Sequence, residues 1–113
     1  MTNYLAFTKY TIMWLYVFYD LPTETKKQRK AMADFRKFLL KDGFVMNQYS
    51  VYIRHCAGNE SAMTHIKRVQ CAVPEEGEVS ILKVTDRQFS DTIVIIGKKH
   101  KPPPAPPMQL ELF

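Results

Sequence analysis

One segment limits the folds open to this chain more than any other. Residues 12–19 (Ile-Met-Trp-Leu-Tyr-Val-Phe-Tyr) carry no charge and are rich in aromatic and β-branched side chains, which favour a buried β-strand. Because side chains alternate along a strand, Leu15 and Val17 share one face. The other face holds Trp14, Tyr16, Phe18 and Asp20. Pro22 ends the strand, since proline cannot continue the ladder. A strand that is apolar on both faces needs cover on both.

The next segment predicts a helix with one basic side. Thr23 or Thr25 caps it, and residues 25–28 (Thr-Lys-Lys-Gln) match a capping box. Asp42-Gly43 provides a usual helix end, so the helix runs to about Lys41. Apolar residues at helical spacing form its buried side. The opposite side carries Lys26, Lys30, Lys37 and Lys41, flanked by Arg29 and Arg36.

The remaining chain predicts further strands and one more helix. We expect a long strand over residues 44–54, a helix capped by Asn59 and bounded by Pro74, and a strand over residues 79–85. After a turn around residues 86–91, the β-branched residues 92–96 predict a fourth strand. The overall order is interpreted as strand, helix, strand, strand, helix, strand. This is the ferredoxin-like α+β pattern, βαββαβ, with a four-stranded antiparallel sheet and both helices on one face.

Length and composition divide the chain into three predicted parts. A length of 113 residues fits one domain, which we place at residues 13–97, with residues 1–12 as an N-terminal extension. Residues 98–113 form a basic, proline-rich linker that ends in an alternating segment, Met-Gln-Leu-Glu-Leu-Phe. That segment is typical either of a strand delivered to a sheet edge, in this or another subunit, or of a frayed terminus.

Two helices can cover only one face of the sheet. The first strand is nevertheless apolar on both faces, so the face with Trp14, Tyr16 and Phe18 is expected to meet another molecule. We therefore predict a homodimer.

Charge and composition bound the function. The formal net charge is +5 and the sequence pI is about 9.3, which favours a polyanionic partner such as nucleic acid, although many small basic proteins have no such partner. No apolar run approaches the length of a membrane span and no secretory signal is visible, so we expect a cytoplasmic protein without a membrane partner.

The chain offers few catalytic motifs. It contains no P-loop, GxGxxG, HExxH or GxSxG pattern, which argues against kinase, hydride-transfer and acyl-transfer chemistry. Cys56 and Cys71 have no CxxC partner, which favours free thiols in a reducing compartment and argues against zinc.

Asp20 is the one carboxylate with an unusual position. It ends an aromatic strand, where a charged group costs desolvation free energy unless something compensates it. A Mg²⁺ ion would do so, and so would the backbone N–H groups of the following helix. A single carboxylate holds Mg²⁺ poorly, and a dimer axis beside Asp20 would supply a second one.

The basic side of the first helix is the second candidate site. A row of cations can follow the phosphates of a duplex without reading its sequence, and no pattern for base readout is visible. A solvated outer face is the alternative. The proposed nucleic-acid contacts are Lys26, Lys27, Arg29, Lys30, Arg36, Lys37 and Arg54.

Several motifs together resemble a known family. In this order and spacing they are similar to the Cas-two family, the small subunit of CRISPR adaptation modules, and most similar to members from type II systems. The resemblance covers about residues 13–97. The motifs are residues 19–27 (Tyr-Asp-Leu-Pro-Thr-Glu-Thr-Lys-Lys), 35–39 (Phe-Arg-Lys-Phe-Leu), 43–44 (Gly-Phe), 48–52 (Gln-Tyr-Ser-Val-Tyr), 77–79 (Gly-Glu-Val) and 83–89 (Lys-Val-Thr-Asp-Arg-Gln-Phe).

The resemblance implies a ferredoxin-like homodimer whose sheets face each other, with Asp20 as the Mg²⁺ ligand of an endonuclease or endoribonuclease activity. It also implies a clamp: the dimer lies between two dimers of the CRISPR integrase subunit and holds the middle of a double-stranded DNA spacer precursor by its backbone. Phosphate contacts then fall near residues 26–30. The C-terminal strand, with Leu110, Leu112 and Phe113, would pair with the other subunit and help to dock the integrase.

Two alternatives stay open at this point. One is a stand-alone, toxin-like, metal-dependent ribonuclease that acts on single-stranded RNA. The other is a non-catalytic RNA-binding module, which would need stacking aromatic side chains on an open sheet.

Overall fold

The fold is an antiparallel sheet with two long helices on one side. The computed structural model describes residues 11–97. The sheet order is β2-β3-β1-β4, and every adjacent pair of strands is antiparallel. The predicted ferredoxin-like α+β fold is therefore confirmed. The elements are β1 (Met13–Asp20), α1 (Lys26–Lys41), β2 (Val45–Gln48), β3 (Val51–Cys56), α2 (Asn59–Ala72), β4 (Glu78–Thr85) and α3 (Asp86–Ser90).

Several of the predicted features belong to the two ends of the chain. Most of the N-terminal extension, the proline-rich linker and the terminal segment with Leu110, Leu112 and Phe113 lie outside the described residues.

The main core lies between β1, β3 and the two long helices. Leu15 and Val17 point to this side of β1 and are fully buried, as the alternation predicted. α1 contributes Phe35 and Leu39, and Tyr52 of β3 completes this side. Burying side chains of this size contributes about 1.5–3 kcal/mol each.

The first helix has the predicted ends. Thr25 caps it: its hydroxyl accepts from the Gln28 backbone N–H at 3.0 Å, and the Gln28 side chain accepts from the Thr25 N–H at 2.9 Å. Gly43 follows the end of the helix with φ +95°, a conformation that favours glycine. The second helix differs slightly from prediction, since its N-cap is Gly58, and Asn59 instead accepts a hydrogen bond from Lys83 at 2.7 Å.

The predicted strand over residues 44–54 is wrong as a single element. β2 ends at Gln48, and the chain turns back through Tyr49 and Ser50 into β3. Ser50 adopts φ +63°, the left-handed conformation that a tight turn requires. The β-prone residues on both sides of the turn concealed it in the sequence.

The predicted strand over residues 92–96 is also wrong. Within the described residues this segment pairs with no strand, and β4 is the fourth strand of the sheet. The preceding turn is the short helix α3, which Thr85 and Gln88 cap and which buries Phe89. Ile93 and Ile95 are 82% and 83% exposed.

Among residues 11–97, those that cover the second face of the sheet do so only at one end. The Phe89 ring stacks on Trp14 with ring centroids 3.8 Å apart, and Ile53 packs beside them. Trp14 is thus 1% exposed, and the expectation that it meets a partner is corrected: its own chain covers it. The rest of this surface, which we call the open face, is not covered by any part of the chain that the structure describes. Its apolar members are Tyr16, Phe18, Val45, Val51 and Leu82.

Candidate nucleic-acid and metal site

Asp20 lies at the end of β1 on the open face, beyond Tyr16 and Phe18. The Tyr16 and Phe18 rings stack with centroids 5.9 Å apart and lead toward the carboxylate. Asp20 is exposed, and its register partner on β4 is Glu78. Residues directly opposite in an antiparallel pair point to the same face with Cβ atoms about 5 Å apart. Two carboxylates of one protomer therefore share this corner of the sheet.

The carboxylate pair fits a hard divalent cation in its chemistry. Mg²⁺ prefers carboxylate and water oxygens, and like charges facing each other across a strand pair are unfavourable until a cation joins them. Within residues 11–97, however, no group of three or more His, Cys, Asp or Glu side chains converges to hold a metal. In the described part of one protomer, Asp20 and Glu78 are therefore a pair of carboxylates without a third ligand of these types.

The alternative role for Asp20, capping the first helix, is wrong. Thr25 caps α1 together with Gln28, as described above, so the helix end is satisfied without the aspartate. Gln28 also donates to Glu76 at 2.7 Å and ties the helix start to the loop before β4. The Asp20 carboxylate is left facing solvent at the edge of the open face.

The basic residues at the start of α1 form the second part of the site. All four are exposed, and together they line a shallow open groove. Arg29 is fixed by two backbone contacts, since its Nη1 donates to the Thr23 and Glu24 carbonyl oxygens at 3.0 and 3.1 Å. The four residues are Lys26, Lys27, Arg29 and Lys30.

Of these four residues, Lys30 alone has a carboxylate partner within the described part of the chain. Its Nζ lies 2.8 Å from Oδ2 of Asp34, one turn along the helix. This hydrogen bond raises the pKa of Lys30 and lowers that of Asp34. An exposed pair of this kind contributes little to stability, and it partly neutralises the lysine toward a phosphate.

The other proposed contacts separate into two groups. Arg36 and Lys37 are exposed on the second half of α1, and the Arg36 Nε donates to the Tyr52 hydroxyl at 2.8 Å. Arg54 is half-buried instead: it donates to the Asp42 carbonyl oxygen and, at 3.1 Å, to the His55 carbonyl oxygen. Its guanidinium therefore connects the end of α1 to β3.

Comparison with known proteins decides the family. The family model described as "CRISPR associated protein Cas2" matches residues 13–92, which is most of the chain. The chain belongs to the Cas2 family. The matched range begins with the first residue of β1 and ends just after α3, so it contains every described strand and helix.

Curated Cas2 relatives match over nearly their whole length. The chain is 54% identical over 101 residues to the "CRISPR-associated endoribonuclease Cas2" of Parvibaculum lavamentivorans, covering 89% of this chain and 100% of the relative. A protein of the same name from Flavobacterium psychrophilum is 46% identical over 111 residues, 98% of this chain and 96% of the relative. A third, from Paracidovorax avenae, is 41% identical over 106 residues, 94% and 98% of the two chains.

Glu78 is a candidate site residue that the sequence did not predict. Glu78 lies just before the strand predicted over residues 79–85, and its position opposite Asp20 depends on the register between β1 and β4. No local pattern in the sequence predicts that register.

No helix in the described part of the chain is long and apolar enough to cross a membrane.

Proposed function

We propose that this Cas2 chain is a CRISPR adaptation subunit that dimerises through its open face, binds nucleic-acid backbone along α1 and cleaves phosphodiester bonds with Mg²⁺ held at Asp20. One observation carries the proposal: an exposed aspartate ends the central strand at the rim of an uncovered apolar face, opposite Glu78. The names of the relatives, endoribonucleases associated with CRISPR, support the activity.

The open face supports the dimer. Phe18, Leu82 and Val45 point outward from the open face and are 37%, 48% and 49% exposed. Apolar side chains that are grouped and exposed in this way are typical of an interaction site. Residues 93–96 are also β-branched and exposed. A second copy of the chain is the occupant that also supplies the carboxylates missing from the metal site.

The residues divide the chemistry between them. When bound, a magnesium ion supplies positive charge for the phosphate and activation of water. Asp20 and Glu78 of one protomer, with the same residues of its partner, are the carboxylates that would hold the ion. The cations of α1 bind flanking phosphates and so fix the position of the scissile bond.

The clamp role rests on the family and on the basic helix. We propose that the dimer holds double-stranded DNA by backbone contacts and bridges dimers of the CRISPR integrase subunit, which performs the integration chemistry. Co-purification of the chain with a candidate integrase subunit, in the presence of a duplex of spacer length, tests this role. Failure of the three components to form one complex would contradict it.

A stand-alone ribonuclease acting on single-stranded RNA is the second candidate, because the relatives are named endoribonucleases. It needs Asp20 and the dimer but no integrase. The RNA-binding module is less well supported, since the Trp14 ring that such a surface would use for stacking lies under Phe89.

Removing the charge of three exposed lysines of α1 should weaken the binding of a DNA duplex, whatever its base sequence. Replacing Lys26, Lys30 and Lys37 by Gln removes three cations, and each lost phosphate contact lowers the slope of log K against log salt by about 0.9. Titration of a labelled duplex at several salt concentrations measures the slope. A control variant with Lys67, Lys83 and Arg87 changed to Gln removes equal charge elsewhere. Equal slopes for both variants would remove α1 from the binding surface.

A further inference from the structure

Arg36 is held by a buried partner although its own side chain is exposed. Its Nε donates to the Tyr52 hydroxyl at 2.8 Å. Tyr52 is 0% exposed and belongs to the main core. The hydroxyl therefore offers the arginine a fixed anchor, unlike a solvent-exposed partner on a flexible side chain.

Neighbouring rings fix the Tyr52 side chain in turn. The Tyr19 ring stacks on it with centroids 6.0 Å apart and an interplanar angle of 18°, and the Phe35 ring meets Tyr19 edge-on at 5.3 Å. Burial, with Tyr52 adding to it, raises the pKa of Tyr19 to about 12. Tyr19 is thus neutral at physiological pH and offers Arg36 no negative charge.

The anchoring leaves most of the guanidinium available. An arginine has five N–H donors, and the Tyr52 contact uses the one on Nε. Within residues 11–97, Arg36 takes part in no ion pair, whereas Lys30 on the same helix is paired with Asp34. The four N–H groups on Nη1 and Nη2 remain for an anion, in a plane that the anchor orients.

Arg29, nearer the start of α1, is held in a similar way. It is also exposed and fixed by neutral oxygens, the carbonyls of Thr23 and Glu24. Seven residues separate the two arginines, which is about two turns or roughly 10 Å along α1, so they share one side of the helix. Two oriented guanidinium groups on one helix side suit a repeating, anionic backbone better than a single ligand.

We propose that Arg36 is a preoriented phosphate-binding residue of this protein and that the Tyr52 hydroxyl is its positioning residue. The ligand class is the sugar-phosphate backbone of a nucleic acid. The arginine is held in its binding orientation before the phosphate arrives, so less side-chain entropy is lost on binding. This inference rests on the proposed nucleic-acid binding and names the element that tunes it.

A double-mutant cycle tests the role of Tyr52. Tyr52→Phe removes only the hydroxyl and should weaken duplex binding about two- to tenfold, the effect of losing one hydrogen bond of this kind. Arg36→Ala should weaken duplex binding at least as much. It should also lower the slope of log K against log salt by about 0.9, the value for one phosphate contact. In the Arg36→Ala background, Tyr52→Phe should cause no further loss. Tyr49→Phe, which removes an exposed hydroxyl from the adjacent turn, is the matched control and should bind like the original protein.

The outcomes separate this inference from the function it rests on. If the original protein does not bind the duplex, the proposed binding function and this inference both fail. If Arg36→Ala weakens binding but Tyr52→Phe does not, the binding role of α1 stands and the positioning role of Tyr52 is wrong. Equal losses from Tyr52→Phe in both backgrounds would show a general structural effect and overturn the inference. Thermal unfolding of each variant confirms that it folds.

Discussion

Replacing Asp20 by asparagine should lower the rate of metal-dependent phosphodiester cleavage by at least about 100-fold, because in the proposed function the carboxylate charge binds the ion and a metal contributes several kcal/mol to such reactions. The amide has almost the same size, and Asp20 is exposed at a strand end, so the fold should not change. Cleavage of labelled RNA and of duplex DNA at several Mg²⁺ concentrations measures the effect.

The prediction for Asp20→Asn has a matched control variant in this chain. Glu75→Gln removes an exposed carboxylate that is not paired with β1 and should leave the cleavage rate unchanged. Cleavage by Asp20→Asn at the original rate would contradict the proposed metal site.

Spacer acquisition should survive the Asp20→Asn substitution if the protein acts as a clamp. Loss of acquisition while the dimer stays folded would contradict that part of the account.

Replacing Leu82 by lysine should dissociate the proposed dimer. Leu82 points from β4 onto the open face beside Tyr16, its register partner. In a dimer formed through this face, a lysine there would bury an unpaired charge, which costs several kcal/mol, and each 1.4 kcal/mol is tenfold in the dissociation constant. We expect the dissociation constant to rise at least about 100-fold, as measured by sedimentation at several protein concentrations.

Met63→Lys provides a matched control for the dimer. Met63 is 39% exposed, close to the 48% of Leu82, but lies on α2 away from the open face. This variant should dimerise like the original protein. If both variants dimerise equally well, the open face is not the interface.

Local rules in the sequence predicted much of the fold. The capping box at Thr25 and the glycine after Asp42 located both ends of α1. The alternation along β1 predicted its two faces, since Leu15 and Val17 do lie in the main core and Phe18 does lie on the open face. Such signals depend on a few consecutive residues and survive whatever the rest of the chain does.

Features that depend on distant residues were missed. Residues 92–96 are β-prone, yet a strand exists only where an edge pairs with it, and no edge of the protomer does so within the described residues. Trp14 was expected to face a partner because its cover, Phe89, comes 75 positions later in the chain. Glu78 joined the candidate site only through the register of β4 against β1.

The mass of the protein in solution tests the central claim most directly. If two chains join through their open faces and bring their carboxylates together, light scattering at micromolar concentration should give twice the 13.2 kDa of one chain. Leu82→Lys should reduce that mass toward 13.2 kDa and abolish metal-dependent cleavage with it. A mass of 13.2 kDa for the original protein, with cleavage intact, would contradict the account.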